Sequence, residues 1–276
     1  MGRANAFKPD KSVVEELTSQ MSDAMAAKEL GVSMVAFYNA RRRLKVMSYF
    51  EKTGNRFKND GSIYQFKKYN ERYFEVIDSS DKAYFLGLLA ADGNVSPRLT
   101  AVRIALKAND QGILEKFREF LGEDAPELKM KYSKNKGVVS APQKILCLSR
   151  VTMVQDLITH GITPNKSKTL KIKNSFQGFE RDFLRGVWDG DGSIGVRRFK
   201  VCTASAAFSE QLQEMIERIS NIKLPIKIDT LESGEPLYVI PGYIKDSAAI
   251  QAIYGETELA LQRKLKLYKT HWEPRR

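Results

Sequence analysis

The chain has 276 residues and a mass of 31.3 kDa, with 42% hydrophobic and 28% charged residues. That is globular material with room for two domains, and it excludes wholesale disorder and collagen-like structure. Lys and Arg number 45 against 33 Asp and Glu, so 45 − 33 gives +12 and a pI near 9.5, which favours a polyanionic partner, nucleic acid before anionic membrane. No apolar run approaches the roughly 18 residues of a membrane span, and the start, MGRANAFKPDKSVVEEL, lacks the apolar core of a secretion signal. The two cysteines, Cys147 and Cys202, are too few for a disulfide framework or a thiolate zinc site. Both lie in apolar strand-like runs and are expected as buried thiols in a reducing compartment. With only His160 and His271, histidine-based metal chemistry is excluded, and a carboxylate site is left.

Residues 1–47 form the first expected domain. Val13, Val14 and Leu17 share a helical face. Ser22 or Asp23 caps a helix in which Ala26, Ala27 and Leu30 pack, and Gly31 ends it. Ser33 caps a second helix carrying Val35, Tyr38 and Leu44, with Arg41, Arg42 and Arg43 expected on its exposed face. A short helix, a Gly-containing turn and a basic helix make a helix-turn-helix for DNA; the plain alternative is a packing hairpin. Residues 48–78 form a linker. Gly54-Asn55 and Asn59-Asp60-Gly61 read as loop, aromatics including Tyr49, Phe50, Phe57, Tyr64, Phe66 and Tyr69 are interleaved, and Tyr73, Phe74, Val76 and Ile77 are dense enough to dock on a core.

Residues 79–276 contain a repeat. Asp81-Lys82-Ala83-Tyr84-Phe85-Leu86-Gly87-Leu88-Leu89-Ala90-Ala91-Asp92-Gly93 returns as Glu180-Arg181-Asp182-Phe183-Leu184-Arg185-Gly186-Val187-Trp188-Asp189-Gly190-Asp191-Gly192, the last acids 191 − 92 = 99 residues apart. After each motif come an alternating strand (Val102, Ile104, Leu106; residues 194–204), a helix (Ile113, Leu114, Phe117; Phe208, Leu212, Ile216), two strand-like runs (127–133 and 143–149; 224–230 and 236–241) and a further helix. The halves, 79–165 and 166–276, each read α-β-β-α-β-β-α. The fold class is therefore α+β, a duplicated unit paired about a pseudo-two-fold axis, with a small all-α domain ahead of it.

Gly87 and Ala91, like Gly186 and Gly190, are four residues apart on one helical face. Small residues there permit close backbone approach, so the motif helices are expected to form the seam between halves. Asp92 and Asp191 then fall at the negative end of each helix dipole, where an unpaired carboxylate is disfavoured by roughly 0.3–1 kcal/mol. Crossing helices add mutual repulsion. A divalent cation removes both objections, and oxygen donors without His or Cys indicate Mg2+.

FLGLLAADG at 85–93 and LRGVWDGDG at 184–192 are similar to the paired LAGLIDADG motifs of homing endonucleases, and Thr163-Pro164-Asn165-Lys166-Ser167-Lys168-Thr169-Leu170 resembles the linker of two-motif, single-chain members. The resemblance covers 79–276. It implies a monomer with internal pseudo-dimer symmetry, whose two four-stranded antiparallel sheets form a saddle over double-stranded DNA and whose motif acids hold metal. By position these are Asp92 and Asp191, with the backbone at Ala91 and Gly190 beside them. Ala90 stands where many members carry an acid; Asp189 is kept in the second motif. Mg2+ is the implied cofactor, with Mn2+ able to serve and Ca2+ able to bind without supporting cleavage. The family often places a basic residue before the helix after the second hairpin, which selects Arg150 and Lys245 as catalytic candidates or, alternatively, as phosphate contacts.

The strands supply an expected recognition face: Arg103, Lys107, Lys129, Lys131, Lys144, Arg197, Arg198, Lys200 and Lys227, with Lys166 and Lys168 in the linker. The basic end, Arg263, Lys264, Lys266, Lys269, Arg275 and Arg276, is expected to attract phosphates. Together these readings point to a free-standing, site-specific, metal-dependent DNA endonuclease of a mobile element, acting in the cytoplasm of a prokaryotic or phage-infected cell. No terminal splicing residues mark an active intein. The alternatives are a DNA-binding regulator of the same scaffold that has lost cutting, and a group I intron RNA maturase.

Overall fold

The computed structural model describes residues 7–53, 56–57, 63–64, 69–132, 134–135, 138–139, 141–173, 176 and 178–274. The expected turns at Gly54-Asn55 and Asn59–Gly61, Phe66, and the terminal Arg275 and Arg276 lie outside them. Two compact units separate at Lys67/Lys68.

The first unit contains helices α1 (Lys11–Gln20), α2 (Asp23–Glu29), α3 (Met34–Arg43) and α4 (Tyr49–Thr53) and a short antiparallel pair, β1 (Arg56–Phe57) with β2 (Ile63–Tyr64). Asp10, Ser22 and Ser33 each cap a helix through the side chain, accepting from the amide two or three residues on. Between α2 and α3 the chain turns at Gly31, whose φ of +64° an L side chain resists. Val14, Leu17, Ala26, Ala27, Phe37 and Val46 form the core. Phe37 and Ala40 are the buried face of α3, whereas Val35 and Tyr38, expected to pack, are exposed. Arg41 also departs from expectation. It is only 4% exposed, donates to Asp23 at 2.9 Å, Glu51 at 2.8 Å and the Val46 carbonyl at 2.7 Å, and so ties α3 to its neighbours. A buried guanidinium satisfied this fully is unavailable to DNA. Arg42 and Arg43 remain exposed, Arg43 donating to the Phe7 carbonyl.

The second unit opens with Tyr73 and Phe74 packed into its core. Then follow α5 (Ser80–Asp92), β3 (Gly93–Val95), β4 (Val102–Lys107), α6 (Gln111–Leu121), β5 (Lys129–Lys131), the short pair β6 (Lys134–Asn135) and β7 (Val138–Val139), β8 (Gln143–Leu148) and α7 (Val151–Thr159). The second half repeats the order with α8 (Glu180–Asp191), β9 (Gly192–Ile194), β10 (Arg198–Thr203), α9 (Ala206–Ser220), β11 (Lys227–Thr230), β12 (Pro236–Tyr243) and α10 (Ser247–Tyr254), and ends with α11 (Gln262–His271). Each half contributes one antiparallel four-stranded sheet, ordered β3-β4-β8-β5 and β11-β12-β10-β9.

Alternation sets the faces. In the first sheet Val102, Ile104 and Leu106 point into the core beside Leu146 and Leu148, and in the second Phe199 and Val201 do so beside Ile240. One hydrophobic core runs through both halves, with α5 packed along α8 at its centre. That contact is backbone on backbone. A Cβ added to Gly87 would run into the Phe183 carbonyl, and one added to Gly186 would lie 2.7 Å from the Leu88 nitrogen and inside the Tyr84 carbonyl.

Candidate metal and nucleic-acid site

The seam fixes where the motif acids end. Asp92 is the last residue of α5 and Asp191 the last of α8. Gly93 and Gly192 follow in extended conformation, φ −72° and −89°, so neither glycine is there for a left-handed turn. Side chains there would collide with the helix just ended, at the Leu89 carbonyl and the Trp188 ring respectively. A Cβ at Gly190 would meet Ala91 and lie 3.2 Å from Asp92 Oδ2, so the carboxylate of one half rests over the helix end of the other.

Both aspartates reach solvent, and neither carboxylate accepts a hydrogen bond from a described residue. The surrounding protein nonetheless removes much of their hydration. Asp191 is pushed up to about 6, first by desolvation and then by the charge of Asp92, against the pull of Lys166 and Lys264. Asp92 is raised by desolvation and by Asp110, with Lys264, Lys166 and Arg263 opposing. Two oxygen-donor groups that repel each other and lack donors suit a hard divalent cation. No group of three or more His, Cys, Asp or Glu gathers as a metal site among the described residues, at this seam or away from it.

Two lysines complete the centre. Lys166, 7% exposed, donates to the carbonyls of Ala91 at 3.1 Å and Gly93 at 2.8 Å. Lys264, 3% exposed, donates to Trp188, Asp189 and Gly192 at 2.6–2.7 Å. Each satisfies carbonyls at the end of a motif helix and offsets its dipole. Desolvation lowers both, Lys264 to about 8, while the aspartates pull the other way. Expected as surface phosphate contacts, Lys166 and Lys264 are buried at the acids instead. The helix-dipole objection is therefore met by the chain itself, and the mutual repulsion is what remains for a cation. The Ala91 carbonyl is already an acceptor for Lys166, while Gly190 lies outside the set taken by Lys264. The sequence does hold a signal for the pair: Lys166-Ser167-Lys168 and Lys264-Leu265-Lys266 share a spacing of 264 − 166 = 98, one less than the acids.

Asp189 is not a ligand. It is buried, accepts from the hydroxyls of Tyr84 at 2.7 Å and Tyr254 at 2.6 Å and the Leu261 amide at 2.7 Å, and positions the start of α11. Arg150 sits at the N-terminal cap of α7, 3.4 Å from Glu71 and over the Tyr69 ring at 4.6 Å. Lys245 is exposed in the turn before α10.

Strand register decides the basic faces, since directly paired residues share a side. Asn94, Arg103 and Cys147 line up across the first sheet, as do Lys107, Gln143 and Lys131, and Ile145 with Lys129, all on the face away from the core. Lys144 pairs with Leu106 and Met130, on the core side, and so leaves the expected face. The second sheet presents Arg198 opposite Tyr243, Lys200 opposite Pro241 and Ser193, and Lys227 opposite Val239, with Arg197 exposed in the preceding turn. Lys168 is exposed and paired with Glu235. Both cysteines are free and only partly buried. Because Leu146, Leu148, Val201 and Phe199 point inward, their neighbours Cys147 and Cys202 point outward, onto the basic faces.

Residues 178–256 match the family described as LAGLIDADG-like domain. No curated protein matches significantly. Among solved structures, full-length DUF199/WhiA from Thermatoga maritima matches at 15% identity and TM-score 0.45, covering 72% of this chain and 64% of that one; the chain thus spans under two thirds of that relative's length. The homing endonuclease I-WcaI bound to its DNA recognition sequence matches at 11% identity and TM-score 0.49, covering 71% and 91%. I-DmoI in complex with DNA and Ca matches at 15% identity and TM-score 0.48, covering 70% and 98%.

Proposed function

We propose that the chain is a site-specific DNA endonuclease that makes metal-dependent double-strand breaks as a monomer, each half of the second unit serving one strand. The observation that carries this reading is the convergence, at one seam, of two unpartnered motif-ending carboxylates from duplicated helices, between two sheets that each carry a lysine- and arginine-bearing face. The match of residues 178–256 to the LAGLIDADG-like domain supports it.

In this reading Asp92 and Asp191 hold Mg2+. When bound, the ion supplies an activated water and screens the charge that develops on a phosphodiester. The chain does the rest. Lys166 and Lys264 clamp the helix ends, so the carboxylates keep a fixed separation. Gly87 and Gly186 set that separation by letting the backbones touch. Arg103, Lys107, Lys129 and Lys131 on one sheet, and Arg197, Arg198, Lys200 and Lys227 on the other, bind the duplex through phosphates and guanine edges. Arg42 on α3, beside the exposed Met34, Val35 and Tyr38, lengthens the footprint as part of a helix-turn-helix.

One observation favours a second reading, a DNA-binding regulator without cutting: Lys166 and Lys264 already stand beside the acids as counter-charges. The two separate in one experiment. Duplexes from a random library are incubated with the protein and Mg2+, and cut ends are captured; a parallel arm uses Ca2+. The endonuclease gives a discrete set of cut sites with Mg2+ and bound, uncut duplex with Ca2+. Discrete binding with no cutting in Mg2+ or Mn2+ establishes the regulator.

A further inference from the structure

The two halves of the centre are not equivalent. Lys166 and Lys264 correspond, but the residues before them differ: Asn165 in the first half and Arg263 in the second. Arg263 reaches across to the first half, where its Nε donates to both carboxylate oxygens of Asp110, at 3.2 and 3.0 Å. Asp110 is only 8% exposed and stands at the N-terminal cap of α6, yet its side chain caps nothing there. Its counterpart in the other half, Ser205, caps its own helix at Phe208 and donates to the Leu170 carbonyl. The first half thus gives up a helix cap to hold an arginine of the second.

The way Arg263 is held matters. Nε is taken, but the two terminal amino groups have no partner among the described residues, and the side chain is 49% exposed. A guanidinium fixed at Nε by a buried carboxylate presents its remaining fork in a set direction, which suits bidentate recognition of a phosphate. Its position is set by the chain on either side. Leu261 is bonded to Asp189, and Lys264 to the end of α8, the helix end over which Asp92 lies. At the matching place in the other half stands Asn165, which carries no charge.

We propose that Arg263 is a phosphate-gripping catalytic residue of the Asp92 side alone, with Asp110 as its positioning residue, so that the two strands of the duplex are cut unequally. This rests on the endonuclease reading and deepens it. The free fork engages the phosphate cut on its own side, leaving the other strand to be cut without an arginine.

The test uses the full chain and a duplex recovered by library selection, with each strand labelled at its own end, and follows the two nicks separately in Mg2+. Arg263→Ala and Asp110→Asn should each slow the same strand by tenfold or more, leave the other within about twofold, and accumulate nicked duplex; Arg263→Lys should recover part of the loss. Equal slowing of both strands, or of neither, overturns the proposal. Arg263 is half-exposed, so Arg263→Ala should melt within a few degrees of the wild type. A wild type that binds but nicks neither strand sinks the endonuclease reading instead. In that event the phosphate grip is decided by binding: Arg263→Ala must reduce the slope of log K against log salt by about one, and an unchanged slope refutes it.

Discussion

Gly186→Ala isolates the seam that delivers both acids. The new Cβ lies 2.7 Å from the Leu88 nitrogen, against the about 3.5 Å at which such atoms rest comfortably. The neighbouring atoms are backbone and cannot rotate away, and the Tyr84 carbonyl oxygen lies closer still, so α5 and α8 must part by at least about 0.8 Å. A gap of that size forfeits a quarter to a half of the dispersion attraction along the contact, and overpacking costs about 3 kcal/mol at the upper end of its usual range. Helix propensity works the other way, since alanine gains about 1 kcal/mol over glycine in a helix interior. The difference is a net loss of about 2 kcal/mol, or about 4–8 °C in melting temperature for a unit of this size. The control is Gly112→Ala in α6, where nothing lies within 4 Å of the added carbon; there the propensity gain acts alone and melting should rise. Thermal unfolding of both variants, followed by circular dichroism, reads the signs directly. A Gly186→Ala protein that melts at or above the wild type refutes the close-packed seam. The same displacement should reduce cutting more than tenfold below the melting range, since misplacement of about 1 Å can cost a factor of about 100.

Asp92→Asn and Asp191→Asn should each abolish double-strand cutting while keeping duplex affinity within a few-fold; gel shifts beside a cleavage assay separate the two, and lost binding with retained cutting would reverse the assignment. The folded-state pKa of Asp191 is raised from 3.8 to about 6, so its ionisation opposes folding, and metal-free stability should fall as pH rises through that window and stay level below it. This pH dependence should shrink in Asp191→Asn and on adding Mg2+; calorimetry in chelator that shows no change in either case would contradict the strained pair. Arg41→Ala should destabilise the first unit by about 1–3 kcal/mol, because it removes the donor to the Val46 carbonyl and to the partly buried Asp23, whereas Arg42→Ala should leave melting unchanged and weaken duplex binding. Paired melts and binding isotherms distinguish those two neighbours.

Much of this was legible in the sequence because the relevant signals are local and repeated. Alternation at Val102, Ile104 and Leu106 fixed which face of β4 is basic, and the motif spacing placed Gly87 and Gly186 where two backbones touch. What escaped depends on partners far along the chain. Arg41, Arg42 and Arg43 look alike in sequence, and only the positions of Asp23 and Glu51 separate the structural arginine from its neighbours. Lys144 belongs by composition with Lys129 and Lys131, but register pairs it with Leu106. Lys166 and Lys264 lie 74 and 73 residues beyond the acids they serve, in a linker and a terminal helix that read as surface charge. Their matched spacing was present, yet it acquires meaning only once the two helix ends are seen to need donors. Cys147 and Cys202 are the converse case, since the alternation that placed their neighbours inward already turned them outward.

The claim on which the rest depends is that Asp92 and Asp191 share divalent metal. It is tested most directly by titrating Mn2+ into the protein bound to a selected duplex and following free Mn2+ by electron paramagnetic resonance. The wild-type complex should take up Mn2+ with Mg2+ competing, and the Asp92→Asn/Asp191→Asn double variant, bound to the same duplex, should lose that uptake. Equal uptake by both complexes, or none by the wild type, would contradict the account.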